Sequence, residues 1–283
     1  MQSYISLPFV SVVAQSRQGS PRKALAALVG LAFLIALAAL MLRAEPAEAE
    51  EGVKATATGF ISLSTSNGRK FRAFVSGPQD ATVGVLLVHD YFGISEFTTR
   101  AVARLGAKGY RVIAVDLYGG KSAGSDEEAT RLMKALDQSA ADPVLQAGLD
   151  YLKNRVRTIA TLGFSMGGMQ ALLANLNDPV AVGGTVIVYG GSYQDLDPAQ
   201  LGTLQSPVLA IAGADDDWAA SSALEFLALA KSRYLDFSLY LQPRAGHAYT
   251  QPLFHGGANY DAEATRITWL LIDDFLANRL GSL

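Results

Sequence analysis

Gly163-Phe164-Ser165-Met166-Gly167-Gly168 stands between the apolar run Ile159–Leu162 and a segment rich in Ala and Leu. This is the setting of a nucleophile elbow, in which a serine on a sharp strand-to-helix turn is pushed out at the carboxyl edge of a sheet. Glycines two residues to either side let the backbone pack closely there. The N–H of Met166 then faces a substrate oxygen as half of an oxyanion hole. A Gly-x-Ser-x-Gly run also occurs in turns that carry no chemistry, so the flanking chain has to supply the rest.

A serine hydroxyl is a weak nucleophile near neutral pH. It needs a histidine to take its proton and a carboxylate to fix the imidazole tautomer and stabilise the imidazolium. Both follow in chain order. The apolar run Pro207–Ala212 leads into Gly213-Ala214-Asp215-Asp216-Asp217-Trp218, and Phe237–Leu241 leads into Gln242-Pro243-Arg244-Ala245-Gly246-His247. Spacing from Gly213 favours Asp216 as the acid, with Asp215 second. Asp217 completes the ambiguous run, whose bland reading is an acidic turn capping the next helix. The chain has three histidines. His247 is the expected base, His255 in the same loop is the alternative, and His89, at the end of an earlier strand, reads as structural.

With these blocks the chain resembles the dienelactone hydrolase family of the α/β-hydrolase superfamily. The resemblance is carried by Val85–Gly93, Gly109–Gly119, the elbow, the aspartate turn and Ala245-Gly246-His247, and it runs from about Thr56 to the C-terminus. It implies that Ser165 takes the place of a Cys or Ser nucleophile, and that the N–H of Tyr91 is the second oxyanion donor. Three departures narrow the expected substrate. Asp90 stands where the family commonly has a glutamate, and Asp126 and Gln251 stand near the two arginines that hold a substrate carboxylate in dienelactone-cleaving relatives. Without that clamp a buried anionic group would be uncompensated, so a small neutral ester or lactone is expected.

The remaining pattern fits an α/β-hydrolase fold, a doubly wound, mostly parallel sheet with a leading antiparallel hairpin. Residues 57–64 and 70–76 alternate and are joined through Asn67-Gly68, a strong hairpin signal. Val83–Val88, Arg111–Val115, Thr158–Leu162, Val182–Tyr189, Val208–Ala212 and Phe237–Leu241 read as buried parallel strands. Ser95–Ala107, Asp126–Leu136, Met166–Asn175 and Ser221–Lys231 read as helices, and Asp142-Pro143 as an N-cap with an N1 proline. Ile272, Phe275, Leu276 and Leu280 give the last helix one apolar face. In such sheets ligands sit beyond the strand carboxyl ends. Asp90, Phe92, Tyr118, Tyr189, Trp218 and Tyr249 are the candidate pocket residues, about half of the nearby aromatics being expected only to pack beneath loops. Gly119–Ser125 is a candidate partial lid.

Ahead of this domain (56–283) lie three segments: 1–23, cytosolic; 24–42, a transmembrane signal anchor or signal-peptide core; and 43–55, a solvated linker. Ala24–Leu42 carries no charge, and a helix of that length rises about 28 Å, close to the hydrocarbon thickness of a bilayer. Arg17, Arg22 and Lys23 precede it, while Glu45, Glu48, Glu50 and Glu51 follow, an asymmetry that places the enzyme on the far side of the membrane. An exported, periplasmic or otherwise extracytoplasmic location is expected, with Ala47-Glu48-Ala49 as a possible cleavage pattern. The whole chain has net charge −3, which argues against a nucleic-acid footprint. It has no cysteine, hence no disulfide and no thiol nucleophile. No spacing suggests a metal site, and no cofactor is expected. The competing class is a membrane-tethered, non-catalytic binding or scaffold module on the same fold. Oligomeric state is not legible here.

Overall fold

In the computed structural model, residues 58–191, 193 and 196–280 are described. Ala24–Leu42 and the segments around it lie outside these residues; among the described residues no helix is long and apolar enough to cross a membrane.

The described chain opens with β1 (Gly59–Ser64) and β2 (Lys70–Ser76), an antiparallel pair in which Gly59 faces Val75 and Ser64 faces Lys70. Asn67-Gly68 makes the turn as expected, with Gly68 at φ 83° and its amide donating to the Thr65 carbonyl at 2.9 Å. Six strands follow: β3 (Val83–Val88), β4 (Arg111–Val115), β5 (Thr158–Phe164), β6 (Val182–Val188), β7 (Val208–Gly213) and β8 (Phe237–Gln242). They are parallel to one another, β2 joins β4 antiparallel, and the eight-stranded order is β1-β2-β4-β3-β5-β6-β7-β8.

The helices are α1 (Glu96–Ala107), α2 (Asp126–Lys134), α3 (Gln138–Lys153), α4 (Met166–Asn177), the short α5 (Pro198–Leu201), α6 (Asp217–Ser232) and α7 (Ala262–Leu280). They cover both faces of the sheet, which is why β3, β4 and β7 are buried at every residue and read as unbroken apolar runs. Along β3 the side chains alternate. Val85 and Leu87 pack with Val102 and Leu105 of α1 and with Ile272 and Leu276 of α7. Leu86 and Val88 pack with Val144, Leu145 and Leu149 of α3 and with Ala171 of α4. A third cluster joins Leu172 and Leu176 of α4 to Phe226 of α6 beside the later strands. The apolar face expected of the last helix is the one it buries: Ile272, Phe275, Leu276 and Leu280.

Pro143 departs from expectation. It is not at a helix start but inside α3, whose cap is Asp137, accepting the Ser139 amide at 3.0 Å. The buried stripe of α3 already begins at Ala141, so packing extends the helix upstream. The proline is tolerated because the carbonyl it leaves unbonded is that of Ser139, in the first turn. Helix α6 likewise starts a turn before the expected Ser221, because Asp216 accepts the Ala219 amide at 3.0 Å and caps it.

The sheet order reverses at β3: the chain runs outward to β4, then returns to place β5 on the other side of β3. Loops leaving β3 and β5 diverge at such a switch point and open a crevice at the strand carboxyl ends. Val88 and Gly163 are register partners there, so the loop after Val88 and the elbow after Phe164 emerge side by side.

Candidate active site

The elbow is held by backbone contacts that tolerate no side chain. A Cβ on Gly163 would lie 1.9 Å from the Gly167 carbonyl oxygen, and one on Gly167 would lie 2.3 Å from the His89 carbonyl oxygen. Ser165 has φ 53° and ψ −123°, a conformation that costs a non-glycine residue about 1–3 kcal/mol and persists only where its surroundings enforce it. Here its amide donates to the Val188 carbonyl and its own carbonyl accepts the Gly168 amide, each at 2.9 Å.

Strained this way, the Ser165 hydroxyl lies 3.1 Å from His247 Nε2, and His247 Nδ1 lies 2.6 Å from Asp216 Oδ2. The structure therefore brings the three expected residues into one chain of hydrogen bonds. Burial separates the three aspartates: Asp216 is 5% exposed, whereas Asp215 and Asp217 are both exposed. Asp216 uses both oxygens, one for His247 and one for the α6 cap, so the same turn caps the helix and touches the imidazole. The imidazole is walled by Tyr189 at 5.4 Å and by Trp218 and Phe254 at 5.5 Å, all edge-on.

His255 is exposed, and its ring lies against Phe254. The other histidine, His89, is buried; its Nδ1 is 2.6 Å from the Asp90 carbonyl, and its Nε2 accepts the Leu117 amide at 3.2 Å. Burial lowers its pKa and keeps the ring neutral. It ties the loop after β3 to the loop after β4.

The loop after β3 is organised by Asp90. Its carboxylate accepts the Phe92 amide at 2.9 Å and its carbonyl accepts the Gly93 amide at 3.1 Å. The Tyr91 amide between them makes no hydrogen bond among the described residues, and the first amide of α4, Met166, can find no partner inside its helix. The second Asp90 oxygen accepts Gln251 Nε2 at 2.5 Å. Burial raises the Asp90 pKa from 3.8 to about 6, against the opposing pull of the Gln251 and Phe92 hydrogen bonds. Asp126 accepts the Tyr91 hydroxyl and the His255 amide. Both residues at the expected arginine positions are thus engaged in bracing loops.

A cavity of about 160 Å3 opens over the serine, lined by Asp90, Tyr91, Ser165, Tyr189, Trp218 and His247, together with Met133, Ala248, Gln251 and Phe254. Three of the expected pocket residues are not on its wall. Phe92 is 1% exposed and packs on Ala123 and Ala129. Tyr118 packs beneath, its hydroxyl donating to the Met166 sulfur at 3.2 Å and its ring on His89. Tyr249 is fully buried, hydrogen-bonded to Thr268. Each follows a strand, but the inward side of its loop faces the core. Met133 and Gln251 were not singled out as pocket residues from the sequence; Met133 reaches the cavity from α2, a placement that no local signal announces. The segment Gly119–Ser125 is pinned to the Asp90 loop, Ala123 donating to the Phe92 carbonyl at 2.9 Å, and contributes no side chain to this cavity. No cluster of potential metal ligands occurs among the described residues.

Known proteins agree with this architecture. The dienelactone hydrolase family matches residues 71–280. A protein of Saccharolobus solfataricus named "Putative carboxymethylenebutenolidase" is 23% identical over 251 residues, which is 75% of this chain and 95% of that one. Among solved structures, a dienelactone hydrolase-like promiscuous phosphotriesterase from metagenomic libraries superposes with a TM-score of 0.70 at 20% identity, covering 79% of this chain and 99% of the other. The dienelactone hydrolase of Anabaena variabilis ATCC 29413 does so at 0.59 and 24%, covering 80% and 99%; at such identities the likeness speaks for the fold. The chain belongs to the dienelactone hydrolase family and is an α/β-fold hydrolase of the ester- and lactone-cleaving type.

Proposed function

We propose that the chain cleaves a small neutral ester or lactone through an acyl-enzyme on Ser165. The observation that carries this reading is the hydrogen-bonded series Ser165–His247–Asp216 at 3.1 and 2.6 Å, built on a serine in strained backbone geometry. His247 Nε2 takes the hydroxyl proton as Ser165 Oγ attacks the carbonyl carbon, and Asp216 holds Nδ1–H and offsets the imidazolium charge. The amides of Met166 and Tyr91 receive the developing oxyanion. The imidazolium then protonates the departing alkoxide, and a water activated by the same base releases the acid.

Neutral substrates are favoured because, among the described residues, no lysine or arginine lines the cavity over Ser165, whereas the Asp90 carboxyl does. A carboxylated substrate would bring a second negative group there without a partner. For the N-terminal region, we propose export with Ala24–Leu42 as signal or anchor; alkaline extraction of membranes from cells expressing the full chain tests whether it is retained.

The catalytic test is a fluorophosphonate probe followed by peptide mass spectrometry. The expected result is an adduct on Ser165 that is lost in His247→Ala. A folded protein that takes up no probe at Ser165 overturns the proposal.

A further inference from the structure

A second cavity, more than twice the volume of the one over Ser165, borders the same loop. A space of about 400 Å3 lies between α1, α7 and the loop Thr250–Leu253, against about 160 Å3 at the serine. Its size falls in the range of small-molecule sites. Phe97, Trp269, Tyr260 and Leu253 supply its apolar walls, and Arg100 and Arg104 enter from α1.

The two arginines differ in their freedom. Arg104 is fixed: it donates to Asp273 at 2.7 Å, and its guanidinium lies 4.6 Å from the Trp269 ring centre. Arg100 pairs only with Glu96, one turn away on the same helix, and both side chains are more than two-thirds exposed. An exposed pair of this kind contributes little, so Arg100 can turn to a ligand anion at small cost. Glu96 pairs with Arg100, while Asp273 behind the wall is shared by Arg104 and Lys108, which leaves one positive charge in excess among these five side chains. The cavity over Ser165 has the opposite character, with Asp90 and no cation.

The walls also reach the candidate active site. Phe97 and Trp269 pack on Phe164, the residue before Ser165, with ring centres 5.0 and 5.9 Å away. Gln251, which holds Asp90, borders both cavities.

We propose that this second cavity binds an amphiphilic monoanion, an alkyl or aryl body ending in a carboxylate, with the body against Phe97, Tyr260 and Trp269 and the carboxylate on Arg100. The acid released by ester cleavage belongs to this class, a correspondence that rests on the proposed reaction, whereas the site itself does not.

The chain has two tryptophans, one at each cavity, so Trp218→Phe leaves Trp269 as the sole reporter of the second site and Trp269→Phe leaves Trp218 at the first. Octanoate titrated below its micellar range should change Trp269 emission saturably. Replacing octanoate by octanol, or Arg100 by Glu, should weaken the response at least tenfold, as loss of a charge-assisted hydrogen bond does. Arg100 is exposed, so Arg100→Glu should keep the wild-type circular dichroism spectrum. The proposal is overturned by an unresponsive Trp269, by octanol and Arg100→Glu matching the wild-type octanoate response, or by a response confined to Trp218. Emission needs no turnover, so failure here leaves the reaction at Ser165 standing, and failure of probe labelling at Ser165 leaves this site standing.

Discussion

Asp216 performs two tasks with two oxygens, and an amide cannot perform both in the same way. One oxygen accepts the Ala219 amide at 3.0 Å, the other faces His247 Nδ1 at 2.6 Å, and the side chain is 4% exposed. Asn has a single acceptor. If that acceptor served His247, the cap amide would face an NH2 group, a buried donor unsatisfied at about 1–3 kcal/mol. If it served the cap, the NH2 group would donate to Nδ1 and the imidazole proton would move to Nε2, leaving every group bonded. The second arrangement wins, but a protonated Nε2 cannot take the Ser165 proton. Asp216→Asn should therefore lower kcat by about 10^4 while stability stays within about 0.5 kcal/mol of wild type. Asp216→Ala should lower kcat comparably and also cost about 1 kcal/mol for the lost cap. The assay is kcat on 4-nitrophenyl acetate beside urea unfolding for both variants. Asn retaining kcat within tenfold would refute the reasoning, as would an equal loss in Asp215→Asn, whose side chain is exposed.

The raised pKa of Asp90, about 6 against 3.8, makes its ionisation unfavourable in the folded state. The folded protein holds the proton more tightly than the unfolded chain, so stability is fully present below pH 4 and falls as pH rises to about 6, by roughly 3 kcal/mol; urea midpoints across that range should show the fall in wild type and lose most of it in Asp90→Asn. Gly167→Ala places a methyl group 2.3 Å from the His89 carbonyl oxygen, so it should destabilise by about 3 kcal/mol and reduce probe labelling of Ser165; a well-folded, fully labelled variant would contradict the close approach. Phe226 is 1% exposed, stacked at 4.8 Å on Tyr193 and edge-on to Phe237 at 4.9 Å, so Phe226→Ala should cost about 3–5 kcal/mol in unfolding with KM unchanged. Trp218, half exposed at the cavity mouth, should on change to Ala raise KM for small aryl esters by about tenfold while kcat moves less than about threefold, measured by initial rates.

Much of this molecule could be read along the chain because its strongest signals are contiguous. The glycines around Ser165 are required where a Cβ would strike backbone. The apolar runs became strands, and Asn67-Gly68 turned the leading hairpin, since each signal acts over a few residues of backbone; the exception to burial is Phe237–Leu241, expected buried, which forms the edge strand β8 and is only partly covered because no strand pairs beyond it. Order also survived: Ser165, Asp216 and His247, taken from that order along the chain, meet in one hydrogen-bonded series. What the chain left open was whatever depends on which side of a loop faces inward. Asp215, Asp216 and Asp217 are chemically identical neighbours, and only the path of the loop after β7 buries the middle one. Phe92, Tyr118 and Tyr249 have the composition of pocket residues, yet their loops turn them into the core, while Met133 arrives from a helix. Pro143 looked like a helix start until the buried face of α3 was seen to begin before it. Sequence by itself determined the fold class and located the strained serine turn, because backbone sterics and hydrophobic periodicity are local. Tertiary structure decided which aspartate meets His247, the cavity walls and the Asp90–Gln251 contact across 161 residues, because such contacts depend on how the register of β3 and β5 and the packing of the later loops bring distant residues to one sheet edge.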